Sequence, residues 1–351
     1  MLNAMSNCCM DVLYQIIWYN SPPMTKRQVF FNINHLGIVP VSVAIHSLLK
    51  HADPAHALTV HIAHDTRFAE LGGCRQVEAV VKRHPFAKVR FANFDPVFER
   101  HRKALDLGDN HWSYMVWAWV FATELFPDLT GNLVFIDWDM YVTQDLAELY
   151  GLDLARHGFV TAAVNESRRE HRPYLIAAGW PEAAGYSVNT GLQVIDTDAW
   201  RREHLQKRIL DWYARNRNIA VCVEQDAINA VAGEKILRLN VKYNYTVGWL
   251  ERAIKVNPFR REWRVFPTRD VFEAMLRPAV IHFIGQNKPW RYNYRPYRRT
   301  YRAAMAELGL LENDRLPGET RLRRAIGVFY DAYHGLLRLY VRALLAVILP
   351  R

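Results

Sequence analysis

Cysteine is scarce: Cys8, Cys9, Cys74 and Cys222 are all that 351 residues carry, and two of them are neighbours. That spacing excludes a disulfide framework and a zinc site, and it fits a reducing compartment. Long apolar runs are missing too. No stretch reaches the roughly 20 residues that cross a bilayer. The first 27 residues lack the basic start, sustained apolar core and small-residue cleavage site of a secretory leader, Lys26 being the first positive side chain. Met24 is a second candidate start, and Val12 to Tyr19 reads as an ordinary short helix or strand. Internal repeats and low-complexity segments are absent. Positive charge is plentiful but local. From Glu251 onward there are 20 Lys and Arg against 9 Asp and Glu, whereas the first 250 residues balance at 25 against 26. With no helix-turn-helix, zinc or RNA-binding sheet signature, the anionic partner expected of this surface is a membrane and not a nucleic acid.

Half of the residues are hydrophobic, enough to bury a substantial core in one principal domain. Val29 to Asn32, Leu58 to His64 and Lys88 to Phe94 read as strands. Val39 to Lys50 and Cys74 to His84 read as helices between them. Asp109 to Phe126, rich in Trp, Tyr and Phe, reads as a buried helix. Strands alternating with helices imply a mainly parallel sheet with ligands gathered at the strand C-terminal ends. At the C-terminus, the polar stretch Glu312 to Glu319 reads as a linker, followed by a helix from Thr320 to Leu349. Arg324, Asp331, Arg338 and Arg342 recur there at heptad-like spacing. They leave Phe329, Tyr333, Leu337, Tyr340, Leu344, Leu345 and Ile348 as a wide apolar surface, the pattern of an interfacial helix. The alternatives are a terminal helix docked on the chain's own core or a dimer interface.

Leu133-Val134-Phe135-Ile136-Asp137-Trp138-Asp139-Met140-Tyr141-Val142 carries the chemistry. At the end of a strand, residues i and i+2 point the same way, so Asp137 and Asp139 can meet one hard cation while Trp138 turns to the other face. Further blocks follow: Tyr186-Ser187-Val188-Asn189-Thr190-Gly191-Leu192-Gln193-Val194-Ile195-Asp196 with Trp200, then Glu224-Gln225-Asp226-Ala227-Ile228-Asn229, Lys242-Tyr243-Asn244-Tyr245, and Ile281-His282-Phe283-Ile284-Gly285-Gln286-Asn287-Lys288-Pro289-Trp290. Their order and spacing over about residues 28 to 300 resemble the retaining, metal-dependent glycosyltransferases of family 8, such as bacterial lipooligosaccharide galactosyltransferases.

That resemblance implies an α/β, GT-A-type, Rossmann-like nucleotide-sugar-binding fold and transfer of a hexose, galactose or glucose, from a UDP-sugar to a cell-surface glycan. Lipopolysaccharide or lipooligosaccharide core is the leading acceptor. Mn²⁺ or Mg²⁺ is the implied cofactor, with Asp137, Asp139 and His282 as ligands. Gly285 lets the loop backbone approach phosphate, and Lys288 adds positive charge to the same loop. Asn189 and Gln225 bring neutral amides that hydrogen-bond sugar hydroxyls without placing a charge beside a cationic transition state. The resemblance sets Gln225 near the anomeric carbon opposite the leaving group, with Asp226 beside it. A carboxylate nucleophile would support retention by double displacement. The matching position is an amide, so front-face attack is expected instead. As a helix start, the same acidic residues would also complement the N-terminal dipole.

The chain departs from the family in three places. The family's early Asp cluster is replaced by Asn32-Ile33-Asn34-His35, where Asn32 and Asn34 would face the nucleoside and Asn34 hydrogen-bonds uracil or ribose. Trp117-Ala118-Trp119 stands where the family has Tyr-x-Arg. The acidic residue expected to grip the donor sugar falls near Asn165 and Glu166. The resulting organisation is an N-terminal extension (1–27), a glycosyltransferase domain (28–311), a linker (312–319) and a basic amphipathic membrane-associating helix (320–351). The enzyme is expected in the cytoplasm, peripheral on the inner face of the membrane. The rival functions are a sugar nucleotidyltransferase, which would open with a glycine-rich phosphate loop that Val29 to Gly37 lacks, and a silent nucleotide-sugar-binding protein.

Overall fold

The computed structural model describes residues 26–102, 113–166, 176–177, 179, 187–247, 266–285, 288–291, 297–311 and 320–348. The expectations for Cys8, Cys9, Val12 to Tyr19, Met24, Gln286, Asn287 and the 312–319 linker lie outside them. The described strands are β1 (Arg27–Ile33), β2 (Leu58–His64), β3 (Ala87–Asn93), β4 (Asn132–Ile136), β5 (Met140–Val142), β6 (Thr161–Asn165), β7 (Val188–Asp196), β8 (Ile236–Leu239), β9 (Tyr245–Thr246) and β10 (Val280–His282). The longer helices include α1 (Ile38–His51), α2 (Gly73–Val81), α3 (Leu205–Asn216), α4 (Val223–Ala232), α5 (Thr268–Leu276), α6 (Arg298–Glu307) and α7 (Arg321–Ile348). Contacts divide the chain into two compact units. One comprises Met1–Ile38, Asp53–Asp137 and Leu146–Leu239, and the other Val39–Ala52, Trp138–Asp145 and Asn240–Arg351.

The first unit is built on a seven-stranded sheet of order β3-β2-β1-β4-β7-β6-β8. It is parallel except at β7, which runs against both β4 and β6. Strand β1 is buried along its whole length, as a strand covered on both faces must be. The aromatic segment before β4 is the core's main filling. It is not the single helix expected: its described part is a 3-10 stretch, Tyr114–Phe121, followed by one turn, Ala122–Leu125. The run is apolar on every side, so no polar face dictates an amphipathic α-helix, and burial of each ring sets the path. Trp117 meets Tyr213 edge-on at 4.7 Å, and Trp119 lies 5.9 Å from Phe135 and 5.8 Å from Trp200.

The second unit holds a three-stranded sheet of order β5-β10-β9. Helix α1 is buried from Pro40 to Leu49, and its Ser47 Oγ accepts from the Val142 N–H at 3.0 Å, which fixes β5 on the helix. Glu307 of α6 takes Lys50 at 2.7 Å and His46 at 2.8 Å. Helix α7 docks on this unit through residues of its heptad-spaced charged stripe. Asp331 pairs with Arg298 at 2.9 Å and Arg299 at 2.8 Å, Arg338 donates to the Leu276 carbonyl, and His334 and Val341 are buried. The docked-helix alternative therefore holds for one face. The other face leaves Leu322, Phe329, Leu336, Leu339 and Tyr340 exposed. No helix among the described residues is long and apolar enough to cross a membrane.

Candidate functional site

Strand β4 stops at Ile136 and β5 starts at Met140, so Asp137, Trp138 and Asp139 form a short break between two strands. Antiparallel pairing sets Met140 opposite His282. The Phe283 N–H then donates to the Asp139 carbonyl at 3.0 Å, which seats Asp139 beside the His282 ring. His282 is 4% exposed, and its Nδ1 lies 2.9 Å from Asn244 Oδ1. With Nδ1–H donating to that amide oxygen, the Nε2 lone pair is turned toward Asp139 Oδ1, 3.3 Å away. Two electron-rich atoms so placed call for a proton or a cation. Asp139 Oδ2 receives Lys288 Nζ at 2.5 Å, and the same ammonium donates to the Phe283 carbonyl at 2.8 Å. Burial by itself would raise the Asp139 carboxyl, but the Lys288 ammonium, together with the adjacent His282, outweighs it and holds the group below the usual carboxylate range.

Asp137, two residues back along the chain, completes a donor set. One oxygen from each carboxylate and a ring nitrogen of His282 lie within 4.8 Å of one another. Two hard carboxylates with one imidazole suit Mn²⁺ or Mg²⁺, so these residues could hold such an ion. Rings brace the loop that carries Lys288. Tyr301 of α6 lies 5.6 Å from Phe283 and 5.7 Å from Trp290, and Trp290 lies 5.5 Å from Trp138. Gly285 turns this loop at φ +85°, where a side chain would be strained although it would meet nothing within 4 Å.

The first unit carries the second group of candidates. The Asp137 N–H donates to the Gly191 carbonyl at 2.8 Å, just past Asn189 and Thr190 on β7. Gln225 Oε1, on the first turn of α4, accepts from the Thr190 N–H at 3.1 Å and from Asn189 Nδ2 at 3.3 Å. Asn189 Nδ2 also reaches Glu166 Oε2 at 3.1 Å. Glu224 is pushed well above the ordinary carboxylate value by burial, with Asp137 and Asp226 adding to the shift. Entry into α4 is strained, because Val223 is β-branched and sits at φ +41°. Asp226 Oδ2 accepts from the Val221 and Cys222 N–H groups at 2.7 and 2.9 Å, which holds that turn.

Asn32 and Asn34 stand at the C-terminal end of β1. Asn32 Nδ2 donates to the Met115 carbonyl at 2.6 Å, while Asn34 Oδ1 caps a 3-10 turn by accepting from the Leu36 N–H at 3.1 Å. Asn244 and Glu224 belong to these constellations in addition to the candidates read from sequence, and Glu166, near which the acidic residue of the donor-sugar grip is expected, is joined to Asn189. Asn244 stands within Lys242-Tyr243-Asn244-Tyr245 and Glu224 precedes Gln225, so proximity to a motif is the signal that the sequence offers for both.

The model of the glycosyl transferase family 8 matches residues 28–294. General stress protein A of Bacillus subtilis is 26% identical over 183 residues, covering 50% of this chain and 60% of that protein. The lipopolysaccharide 1,3-galactosyltransferase of Salmonella typhimurium is 21% identical over 288 residues, covering 80% of this chain and 78% of that protein. The chain spans 60%, 36% and 57% of the lengths of General stress protein A and of the glycosyltransferases GlyE and GlyF of Streptococcus pneumoniae. Among solved structures, the galactosyltransferase LgtC in complex with donor and acceptor sugar analogs superposes with a TM-score of 0.66 at 19% identity, over 82% of this chain and 98% of that one. The fold is thus of the GT-A type.

Proposed function

The chain belongs to glycosyl transferase family 8, and on that premise we propose that it is a retaining glycosyltransferase moving a hexose, galactose or glucose, from a UDP-sugar to a lipopolysaccharide or lipooligosaccharide core. The grouping of Asp137, Asp139 and His282, with Lys288 on Asp139, carries this reading. A Mn²⁺ or Mg²⁺ ion held by those three residues would neutralise charge on the departing diphosphate. Lys288 would give the diphosphate a charge-assisted hydrogen bond, and the backbone at Gly285 would approach it closely. Asn32 and Asn34 would meet the nucleoside at the strand ends, with Trp138 beside the diphosphate. Asn189 and Gln225 would face the reacting sugar, with Asp226 holding the turn that presents Gln225. The lipopolysaccharide galactosyltransferase among the relatives supports the choice of donor and acceptor.

The outward face of α7 supports an anionic membrane as the surface where a lipid-linked acceptor is met, on the cytoplasmic side. Exposed Phe329, Leu336, Leu339 and Tyr340 would enter the interface, and Arg321 and Arg342 lie on the same helix. The test is turnover of a panel of UDP-hexoses by the full chain with Mn²⁺, with and without lipopolysaccharide core. One UDP-hexose should be consumed, faster with acceptor. If none is turned over, the chain is a silent nucleotide-sugar-binding protein.

A further inference from the structure

We propose that the cavity between α1, β5 and α6 is a saccharide-binding site of its own, one that holds a single uncharged sugar ring and shares no residue with the candidate transfer site. The proposal goes beyond the glycosyltransferase reading above and stands without it.

The cavity lies within the second unit and holds about 310 Å³. Small-molecule sites run from roughly 300 to 1,000 Å³, so its size admits one ring and not a chain. Lys50 of α1, Tyr141 of β5 and Thr300 and Glu307 of α6 supply polar groups to its wall, and Ala303 supplies a methyl group. Asp139, His282 and Lys288 do not line it. Tyr301 links the two places, its ring lying 6.3 Å from Tyr141 and 5.6 Å from Phe283.

Tyr141 is the residue that calls for a ligand. It is 5% exposed, yet its hydroxyl has no hydrogen-bond partner among the described residues and is not one of the polar atoms sealed from solvent. A phenol so buried ordinarily finds a partner, and the cavity is where one can arrive. Burial, with the Glu307 carboxylate adding to it, pushes this phenol up to about 12, so at neutral pH it offers an O–H. The charges beside it select against ions. Lys50 Nζ donates to both Glu307 oxygens, at 2.7 and 2.9 Å, so an anion drawn to the ammonium meets the carboxylate and a cation meets the reverse. His51 Nδ1 lies 2.8 Å from the Ser47 carbonyl, which can only accept, so Nδ1 carries a proton and is already used. What the wall favours is a neutral molecule that both donates and accepts. Sugar hydroxyls do both, and the C–H face of the ring suits Ala303.

The experiment titrates methyl galactoside and methyl glucoside into the full chain and follows backbone amide shifts by nitrogen-15 NMR. One of the two should give saturable shifts at Thr143, Thr300 and Ala303 with millimolar affinity. Tyr141→Phe should weaken that binding about fivefold, as loss of one neutral hydrogen bond does. Ala303→Trp, at an exposed position of α6, sets a ring in the cavity and should abolish binding with Tm unchanged. Should Tyr141→Phe unfold the chain, Ala303→Trp decides alone. Absence of shifts with both glycosides overturns the proposal, as do equal affinities in the native chain and either folded variant, or tighter binding of inorganic phosphate or glycerol at the same residues. UDP-sugar turnover enters none of these readouts, so their failure leaves the glycosyltransferase reading intact.

Discussion

Two regions of this molecule solve the problem of a polar site in opposite ways. Around Asp139 the second unit gathers charge: a carboxylate, an ammonium at 2.5 Å and an imidazole at 3.3 Å. Around Gln225 the first unit links amides, a backbone N–H and the Glu166 carboxylate by hydrogen bonds of 3.1–3.3 Å, with no Lys or Arg in that set. Charge binds strongly but answers to salt, pH and chelators. Oriented amides bind more weakly and answer to geometry alone. A leaving diphosphate needs the first kind of site, and a transient sugar cation is better served by the second.

The largest effect should come from the charged region. Asp137→Ala, Asp139→Ala or His282→Ala each removes a candidate ligand, and the ion is worth several kcal/mol. UDP-sugar turnover should fall on the order of a thousandfold in each, and a chelator should reproduce the loss. Full activity of Asp139→Ala in EDTA would erase the contrast between the regions. Next come two variants that should fail differently. Lys288→Ala should weaken UDP about tenfold or more in calorimetric titration, because a charge-assisted hydrogen bond is worth roughly 1.5–3 kcal/mol, and added salt should narrow the gap from the native chain. Gln225→Ala should lower kcat on the order of tenfold to a hundredfold with UDP affinity unchanged at any salt. Equal losses of UDP affinity in both would merge the two regions into one.

Acid should sharpen the comparison by a route that belongs to neither region. His61 is buried in β2 without a partner for either ring nitrogen among the described residues, and burial, aided by Arg90, lowers its pKa to about 4 from 6.5. The neutral ring is the folded form, so the unfolded chain binds the extra proton. Stability is intact above pH 6.5 and drains as the pH falls toward 4, by on the order of 3 kcal/mol. His61→Phe should flatten the decline of Tm over that window, and an unchanged slope would remove His61 as its cause. The smallest effect on the fold should come from Leu322, Phe329, Leu336 and Tyr340 of α7. Replacing them with Ser should leave Tm within about 2 °C, as surface changes usually do, yet abolish flotation with anionic liposomes. Unchanged flotation would retire the membrane reading. Deleting residues 320–351 is the harsher counterpart. It removes Asp331, His334 and Val341 from α5 and α6 and should lower Tm by several degrees.

Much of this was written in the sequence where one principle dominates. Leu58 to His64 is a strand with the bounds read from its apolar run, and Asp137 and Asp139 announce themselves by a two-residue period at a strand end. The aromatic run before β4 was harder, because Trp117 and Trp119 carry no polar face from which helical or extended periodicity can be read. The docking of α7 was illegible for a different reason. Asp331 and Arg338 look like solvated charges until Arg298 and the Leu276 carbonyl are seen opposite them, and only tertiary structure supplies those partners. Asn244 was hidden likewise, since an amide that orients His282 looks like any other asparagine 38 residues away along the chain.

The pairing of Met140 with His282 acts as a ruler on the chain's length. Because strand side chains alternate, one residue gained or lost between Asp137 and Val142, or between Val280 and Phe283, would turn Asp139 or His282 to the opposite face of its sheet. Substitution can be absorbed at many positions of these two short strands, whereas insertion and deletion cannot. In variants of this enzyme, spacing should be held more tightly than identity here, and length changes should collect in loops away from β5 and β10.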